Sequence, residues 1–194
     1  MFDIKQYIQD SIDVKNIILH NEEIISQITN VSNKIVECYK TGNKVLICGN
    51  GGSAADAQHF AGELVSKFYF DRPGLSAFSL STDTSVLTAI GNDYGYDMSF
   101  ARQVQANGKK DDVFIGISTS GNSKNVVCAC KMAKDIGMKT IALVGEKESQ
   151  LNKEADICIN VPSSITPTIQ ESHLMIYHII CAIVEDSIFG SNNK

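Results

Sequence analysis

The chain changes its hydrophobic pattern at Gly42. Before it, residues 3–40 carry isoleucines and valines at helical intervals, with no proline or glycine. This predicts two amphipathic helices with a break near Leu19 and His20, and Asn21 as the N-cap of the second. Such helices must bury an apolar stripe, and a second copy of the chain is the simplest partner. We therefore expect the N-terminal helices to be used in oligomerisation.

After Gly42, short apolar runs alternate with stretches of helical pattern. The runs occupy residues 45–48, 76–80, 113–117, 140–144 and 157–161, and the helical stretches lie at about 53–65, 84–89, 98–105, 122–136, 148–154 and 168–186. This alternation is typical of βαβ units, so we predict an α/β fold with a five-stranded parallel sheet flanked by helices. We expect a single domain over residues 1–194, with N-terminal helices at 1–40 and an α/β core at 44–186.

The composition indicates a soluble acidic protein. The formal net charge is −5 and the pI is near 5.3, which argues against general nucleic-acid binding. The six cysteines are scattered without the usual zinc-binding spacing, which favours buried free thiols in a reducing compartment. We find neither a signal-peptide pattern nor an apolar run of membrane length, and we expect a cytoplasmic protein with no membrane partner.

The segment from Cys48 to Leu64 carries the first candidate site. Its glycine-rich start, Gly49-Asn50-Gly51-Gly52-Ser53, follows a predicted strand and precedes a helix that Ser53 could cap. This arrangement offers free backbone N–H groups to an anion. His59 and Glu63 are four residues apart and share one helix face, which suits a metal or acid–base group. Glycine turns without ligands and solvated His–Glu pairs have the same spacing, so the pattern alone leaves both interpretations open.

Two more polar segments follow predicted strands. Ser81-Thr82-Asp83-Thr84 leads through a helix to Asn92 and Asp93, and Ser118-Thr119-Ser120-Gly121-Asn122-Ser123 follows the strand at 113–117. The second of these places four hydroxyl side chains around one glycine at a strand-to-helix turn, which is a strong phosphate-binding signal. A Ser/Thr-rich loop with a good helix cap is the alternative. Walker and dinucleotide-binding motifs are absent, so a sugar phosphate is the favoured ligand.

Taken together, these segments resemble the SIS (sugar isomerase) domain family and, within it, the phosphoheptose isomerases. The motifs that carry the resemblance are Cys48–Ser53, Asp56–Phe60, Thr82–Ile90, Asn92–Tyr96, Phe100–Val104, Ile117–Ser123 and Ile169–Glu171, with His178 beyond them. The resemblance implies a flavodoxin-like or Rossmann-like SIS fold. It also implies a homotetramer with active sites at subunit interfaces and one zinc ion per subunit.

The implied reaction converts sedoheptulose 7-phosphate to D-glycero-D-manno-heptose 7-phosphate, a precursor of the heptose in lipopolysaccharide or capsule. The resemblance makes Glu63 the catalytic base and His178 the catalytic acid, and it implies the zinc ligands His59, Glu63, Gln170 and His178. The implied substrate-binding residues are Asn50, Gly51, Gly52, Ser53, Glu63, Asn92, Asp93, Ser118, Thr119, Ser120, Ser123 and Gln170.

The spacing of two implied ligands raises a geometric problem. Gln170 and His178 are eight residues apart, which separates them by about 12 Å along one straight helix. We therefore expect one of the two to come from a neighbouring subunit. His173 would replace His178 if that residue were placed elsewhere, and otherwise we interpret His173 and His20 as plain core or surface histidines.

Two other functions fit parts of this pattern. The first is a non-catalytic SIS-domain binding protein that resembles the DnaA-initiator-associating protein, but the presence of Glu63 and His178 favours an enzyme. The second is a SIS isomerase that acts on a hexose or pentose phosphate.

Overall fold

The structure is a computed structural model and describes residues 2–190. Met1 and residues 191–194, which the predicted domain included, lie outside the described part. The elements in chain order are α1 (Ile4–Leu19), α2 (Glu22–Lys40), β1 (Val45–Gly49), α3 (Gly52–Val65), β2 (Ala77–Ser79), α4 (Thr84–Tyr94), a short 3₁₀ helix (Tyr96–Met98), α5 (Ala101–Asn107), β3 (Val113–Ile117), α6 (Lys124–Ile136), β4 (Lys139–Val144), α7 (Gln150–Glu154), β5 (Ile157–Asn160) and α8 (Thr166–Phe189). All five predicted strands are confirmed.

The five strands form one parallel sheet in the order β2-β1-β3-β4-β5. The chain moves from β1 to one side for β2 and returns to the other side for β3. The loops that follow β1 and β3 therefore diverge and leave a crevice at the carboxyl ends of these strands. The fold thus brings the two glycine- and hydroxyl-rich loops, at 50–53 and 118–123, to the same edge.

Alternate strand residues face two separate hydrophobic layers. Val45 and Ile47 belong to the core shared with α2, α3 and α8, whereas Leu46 and Cys48 belong to the core shared with α5 and α6. Burial on both faces explains why these strands are continuous apolar runs in the sequence. All six cysteines are free thiols, and four of them are buried: Cys38, Cys48, Cys130 and Cys181.

The N-terminal helices begin and end as the sequence predicts. The side chain of Asn21 accepts hydrogen bonds from the backbone N–H groups of Glu23 and Ile24 and so caps α2. Helix α2 buries seven residues, but α1 buries only Ile18 and exposes large apolar side chains, including Ile4, Ile8 and Leu19. An apolar stripe therefore remains uncovered on α1 in the single chain.

The prediction that Ser53 caps the following helix is wrong. Helix α3 begins one residue earlier, at Gly52, and its N-cap is Gly51 with a φ of 56° and no side-chain cap. Ser53 lies inside the first turn and is buried. A Cβ atom on Gly52 would overlap the side-chain amide of Gln170, so the close packing of α8 on the start of α3 requires a glycine at this position.

Helix α8 is the core helix of the fold. Among the described residues it is the one helix long and apolar enough to cross a membrane by length and composition. Its buried residues include the ionisable groups His173 and Glu185 together with Ile176 and Ile180, and the helix packs against α2 and α3. Burial inside the domain accounts for part of its apolar sequence, while Leu174 and Ile179 remain exposed.

Candidate active site

Three metal-binding side chains meet where α3 lies beside α8. His59 and Glu63 lie one turn apart on α3, with His59 Nε2 2.9 Å from Glu63 Oε1. His178 comes from α8 of the same chain, and its Nε2 lies 3.3 Å from His59 Nε2. One ligand atom from each residue lies within 4.8 Å of the other two. Ligands held 2.0–2.2 Å from a tetrahedral ion are roughly 3.4 Å apart, so these positions suit a metal.

The chemistry of the donor set also fits a catalytic metal. Two imidazoles and one carboxylate are a known ligand set of catalytic zinc, and they leave a fourth position for water or substrate. Burial and the neighbouring His59 lower the pKa of His178, although Glu63 acts in the opposite direction. A lowered pKa keeps the imidazole neutral near pH 7, which is the form that binds a metal.

Aromatic side chains surround this cluster. Tyr177 stacks on Phe60 with ring centroids 5.1 Å apart, and its hydroxyl lies 3.0 Å from His59 Nδ1. Phe68, in the loop after α3, packs against the His178 ring at 5.5 Å. One side of each imidazole therefore packs against aromatic side chains, while the His59 side chain remains 43% exposed.

Gln170 is the fourth metal ligand that the resemblance implies. It lies two turns before His178 on α8, and its amide packs against Gly52 at the start of α3. His59 is seven positions after Gly52 on α3, a distance of about 10 Å along the helix. His178 thus shares a chain with His59 and Glu63, and the role of Gln170 as a metal ligand stays a prediction.

The loop after β1 is held by an amide network. Asn50 and Asn125 exchange two hydrogen bonds of 2.8 and 3.0 Å, and the Tyr96 hydroxyl donates to Asn50 Oδ1 at 2.8 Å. Asn125 also donates to Ser99 Oγ at 3.1 Å. This network fixes the loop that contains Asn50, Gly51, Gly52 and Ser53, the predicted substrate-binding residues of the first segment. The sequence did not predict that Asn125 and Tyr96 hold this loop. Asn125 lies near the start of a helix and Tyr96 ends a family motif, and neither position indicates a contact with Asn50.

The loop after β3 gathers its hydroxyl groups. Ser118 Oγ lies 3.0 Å from Ser123 Oγ and 3.4 Å from Ser120 Oγ. Gly121 has a φ of 64°, a left-handed conformation that lets the loop turn tightly around the three serines. The structure therefore places the predicted phosphate-binding hydroxyls of this loop within one small region.

A cavity of about 270 Å³ opens beside this loop. Thr119 and Ser120 line one wall, and the loops after β4 and β5 line the others with Glu146, Lys147, Glu148, Ser163, Ser164 and Thr166. Sequence reasoning did not single out these two loops. Their only sequence signal is their position after a predicted strand.

Asn92 and Asp93 lie at the exposed end of α4. They hydrogen-bond to each other, Asn92 Nδ2 donating to Asp93 Oδ1 at 2.8 Å. Asp93 lines a separate cavity of about 460 Å³ between α4 and α5. Neither residue has a described hydrogen bond to the loops at 50–53 or 118–123, so their role in substrate binding stays a prediction.

The other two histidines lie away from the cluster, as expected. His173 is fully buried, with Nε2 3.2 Å from the carbonyl oxygen of Val144. His20 ends α1 and hydrogen-bonds through Nδ1 to the carbonyl oxygen of Asn16 at 2.8 Å. They are a core and a surface histidine.

Comparison with known proteins agrees with this geometry. A sequence model of the SIS domain matches residues 6–145. A phosphoheptose isomerase from Aneurinibacillus thermoaerophilus is 58% identical over 186 residues, which are 96% of this chain and 94% of the relative. The phosphoheptose isomerase 2 of Campylobacter jejuni is 59% identical over 187 residues, which are 96% of this chain and 93% of the relative.

A solved structure has the same fold. The phosphoheptose isomerase from Neisseria gonorrhoeae superimposes with a TM-score of 0.88 at 40% identity, covering 94% of this chain and 97% of that chain. The chain therefore belongs to the SIS domain family. Within that family, its relatives place it among the phosphoheptose isomerases.

Proposed function

We propose that this protein is an aldose–ketose isomerase that converts sedoheptulose 7-phosphate to D-glycero-D-manno-heptose 7-phosphate, a step in heptose synthesis. Relatives of nearly 60% identity carry the name phosphoheptose isomerase. The observation that carries the proposal is the meeting of Glu63 and His178, from opposite halves of the chain, in one cluster. A carboxylate and an imidazole are the pair that a proton transfer between adjacent carbons requires.

Glu63 and His178 divide the proton transfers between them. Glu63 removes a proton from C1 of the ketose, the C–H electron pair forms the new C1–C2 double bond, and the π pair of the C2 carbonyl moves to O2, which gives an enediol(ate). His178 assists the transfer of the O1 hydroxyl proton to O2 and the return of a proton to C2, where the double-bond pair forms the new C–H bond. This leaves an aldehyde at C1 and a hydroxyl at C2. Histidine suits these transfers because the ordinary pKa of an imidazole lies close to neutral pH.

The same cluster would hold one zinc ion per subunit, through His59, Glu63 and His178. Asp56 lies one turn before His59 on α3, and its buried Oδ2 has no hydrogen-bond partner among residues 2–190. Burial raises the pKa of Asp56 to about 6, while His59 and Tyr177 act to lower it. The chemistry that a bound zinc supplies is polarisation of the substrate carbonyl group. Gln170 is the proposed fourth contact, made either to substrate or to the metal of a neighbouring subunit.

The phosphate of the substrate would bind at the loop after β3. Ser118, Thr119, Ser120 and Ser123 offer hydroxyl donors there, and Gly51 and Gly52 at the N-terminus of α3 offer backbone N–H groups. The backbone N–H of Ser53 donates to the carbonyl oxygen of Asn50 at 3.0 Å, so the proposed contact of Ser53 is through its hydroxyl. Asn50, Asn92 and Asp93 are the remaining proposed sugar contacts. Contacts remote from C1 and C2 hold the reacting carbons in place and so supply binding energy to the chemical step.

The site would be completed by oligomerisation into a homotetramer. The exposed apolar surface of α1 continues into a groove lined by Ile12, Ile28, Met175 and Ile179. A neighbouring cavity shares Met175 and Ile179 and reaches His178. A partner that covered this surface would therefore border the metal cluster. We place the enzyme in the cytoplasm, without nucleic-acid or membrane partners.

An isomerase assay with sedoheptulose 7-phosphate tests the proposal. We expect turnover that is lost with a chelator, restored by zinc, and abolished by Glu63→Gln without loss of the tetramer in light scattering. Glu37→Gln is the matched control, because Glu37 is an exposed partner of Lys34 on α2 and should keep full activity. Turnover that survives Glu63→Gln would contradict the proposed base.

A second substrate in the same assay separates the alternatives. Faster turnover of fructose 6-phosphate would assign the protein to another sugar phosphate. Binding of sugar phosphates without turnover of either would indicate the non-catalytic SIS-domain function.

A further inference from the structure

One hydrogen bond in the active site lies behind the metal cluster and has no part in the chemistry proposed above. The two ring nitrogens of His59 point in different directions. Nε2 faces Glu63 and His178 at 2.9 and 3.3 Å, and Nδ1 faces the Tyr177 hydroxyl at 3.0 Å. The hydroxyl therefore occupies the position from which a neighbouring group sets the tautomer of a metal-binding histidine.

We propose that Tyr177 is a positioning residue for the metal ligand His59, and that Asp56 orients the Tyr177 hydroxyl. The inference rests on the metal site of the proposed function. In this arrangement the protonated Nδ1 of His59 donates to Tyr177, and the Tyr177 hydroxyl donates in turn to the Asp56 carboxylate. The lone pair of His59 Nε2 is then free for the metal.

The surroundings of the three residues support this direction of hydrogen bonding. Asp56 lies on the same helix as His59, one turn earlier, so its carboxyl group lies on the same side of α3. It is 9% exposed, and its Oδ2 has no hydrogen-bond partner among residues 2–190. Tyr177 is fully buried and stacked on Phe60, so its ring has little freedom to turn its hydroxyl elsewhere. A buried carboxylate needs a donor, and the Tyr177 hydroxyl is suited to supply it.

Metal affinity tests the proposal directly. Tyr177→Phe removes one oxygen and keeps the ring that packs on Phe60. We expect it to weaken zinc binding roughly 10–100-fold in competition with a chromophoric chelator, which is the usual effect of removing such a partner. Wild-type affinity in Tyr177→Phe, or a wild-type protein that binds no zinc, would overturn the inference.

A matched control separates positioning from packing. Tyr39 is a second tyrosine that packs against the same hydrophobic core, and its buried hydroxyl has no hydrogen-bond partner within the described part of the chain. Tyr39→Phe should leave zinc affinity unchanged. Thermal unfolding of the metal-free proteins should show that Tyr177→Phe folds as well as this control. If Tyr177→Phe lost zinc affinity only in proportion to a general loss of folding, the positioning role would be refuted.

Two further readouts address Asp56 and the tautomer. Asp56→Asn should weaken zinc binding in the same direction, and the double variant should be little weaker than the worse single variant, because the residues act as one unit. Additive effects would remove Asp56 from the proposal. In zinc-loaded protein, the Nδ1 proton of His59 should exchange with water faster in Tyr177→Phe than in the wild type, and an unchanged rate would contradict the hydrogen bond.

None of these measurements depends on the substrate. If the wild type failed to isomerise sedoheptulose 7-phosphate while Tyr177→Phe still lost zinc affinity, the proposed function would fail and the positioning role would stand.

Discussion

Replacing Arg72 by methionine should destabilise the protein by about 3–5 kcal/mol, because it would break a buried ion pair that ties three segments together. Arg72 Nε donates to Glu185 Oε1 at 3.0 Å, and the two side chains are 2% and 1% exposed. The same guanidinium donates to the carbonyl oxygens of Leu64 at 2.6 Å and Glu63 at 2.9 Å. Arg72 lies in the loop that follows α3, and its guanidinium thereby caps the C-terminal end of this helix, next to the candidate site residue Glu63.

The magnitude comes from what the substitution would leave behind. Glu185 would keep its hydrogen bonds from the backbone N–H groups of Phe68 and Tyr69, at 2.8 and 2.7 Å, but lose its countercharge. Burial alone raises the pKa of Glu185, yet those two hydrogen bonds and Arg72 together lower it. Its carboxylate is thus charged in the folded protein, and a buried charge without a partner costs several kcal/mol.

Urea denaturation at pH 7 and a fixed protein concentration measures the loss. Lys34→Met is the control, since Lys34 and Glu37 are 35% and 65% exposed and their pair contributes at most about 1 kcal/mol. Adding Glu185→Gln to Arg72→Met should recover part of the loss, because it removes the unpaired charge. If Arg72→Met stayed within 1 kcal/mol of Lys34→Met, the reasoning from burial would be refuted.

Two other predictions concern titration and binding. Burial lowers the pKa of His173 to about 4, although its hydrogen bond to Val144 acts in the opposite direction. Between pH 6.5 and pH 4, the unfolded chain therefore binds a proton that the folded protein does not bind. The free energy of unfolding should therefore fall by about 3 kcal/mol through this residue as the pH decreases across that range. His173→Gln should make the free energy of unfolding, measured with urea, depend less on pH. An unchanged pH dependence in this variant would contradict the prediction. Ser118→Ala should raise the KM for sedoheptulose 7-phosphate roughly 10–100-fold, because a hydrogen bond to a charged group contributes about 1.5–3 kcal/mol. An unaltered KM would show that the phosphate group binds elsewhere.

The sequence predicted the sheet well for a physical reason. Parallel strands that are buried on both faces must be apolar at successive positions, and the runs at 45–48 and 113–117 show this directly. The start of α3 was less predictable. A serine near a glycine turn favours a cap, but the helix starts before Ser53, at Gly52, where the packing of Gln170 leaves no room for a side chain.

Some residues of the candidate site could likewise be predicted from the sequence, and others could not. His59 and Glu63 could be paired from the sequence, because a spacing of four on a helix places two side chains on one face whatever the helix packs against. The hydroxyls of the loop at 118–123 were likewise a local signal. The contributions of Asn125 and Tyr177 were not, since both depend on contacts between segments that are distant in the chain.

The sequence by itself determined which segments form helices and strands and which faces are apolar, because these properties depend on neighbouring residues. Only the tertiary structure decided which histidine of α8 enters the site. His173 and His178 are five residues apart and point about 140° away from each other around the helix. The packing of α8 beside α3 turns His178 towards His59 and Glu63 and buries His173 beneath the end of β4.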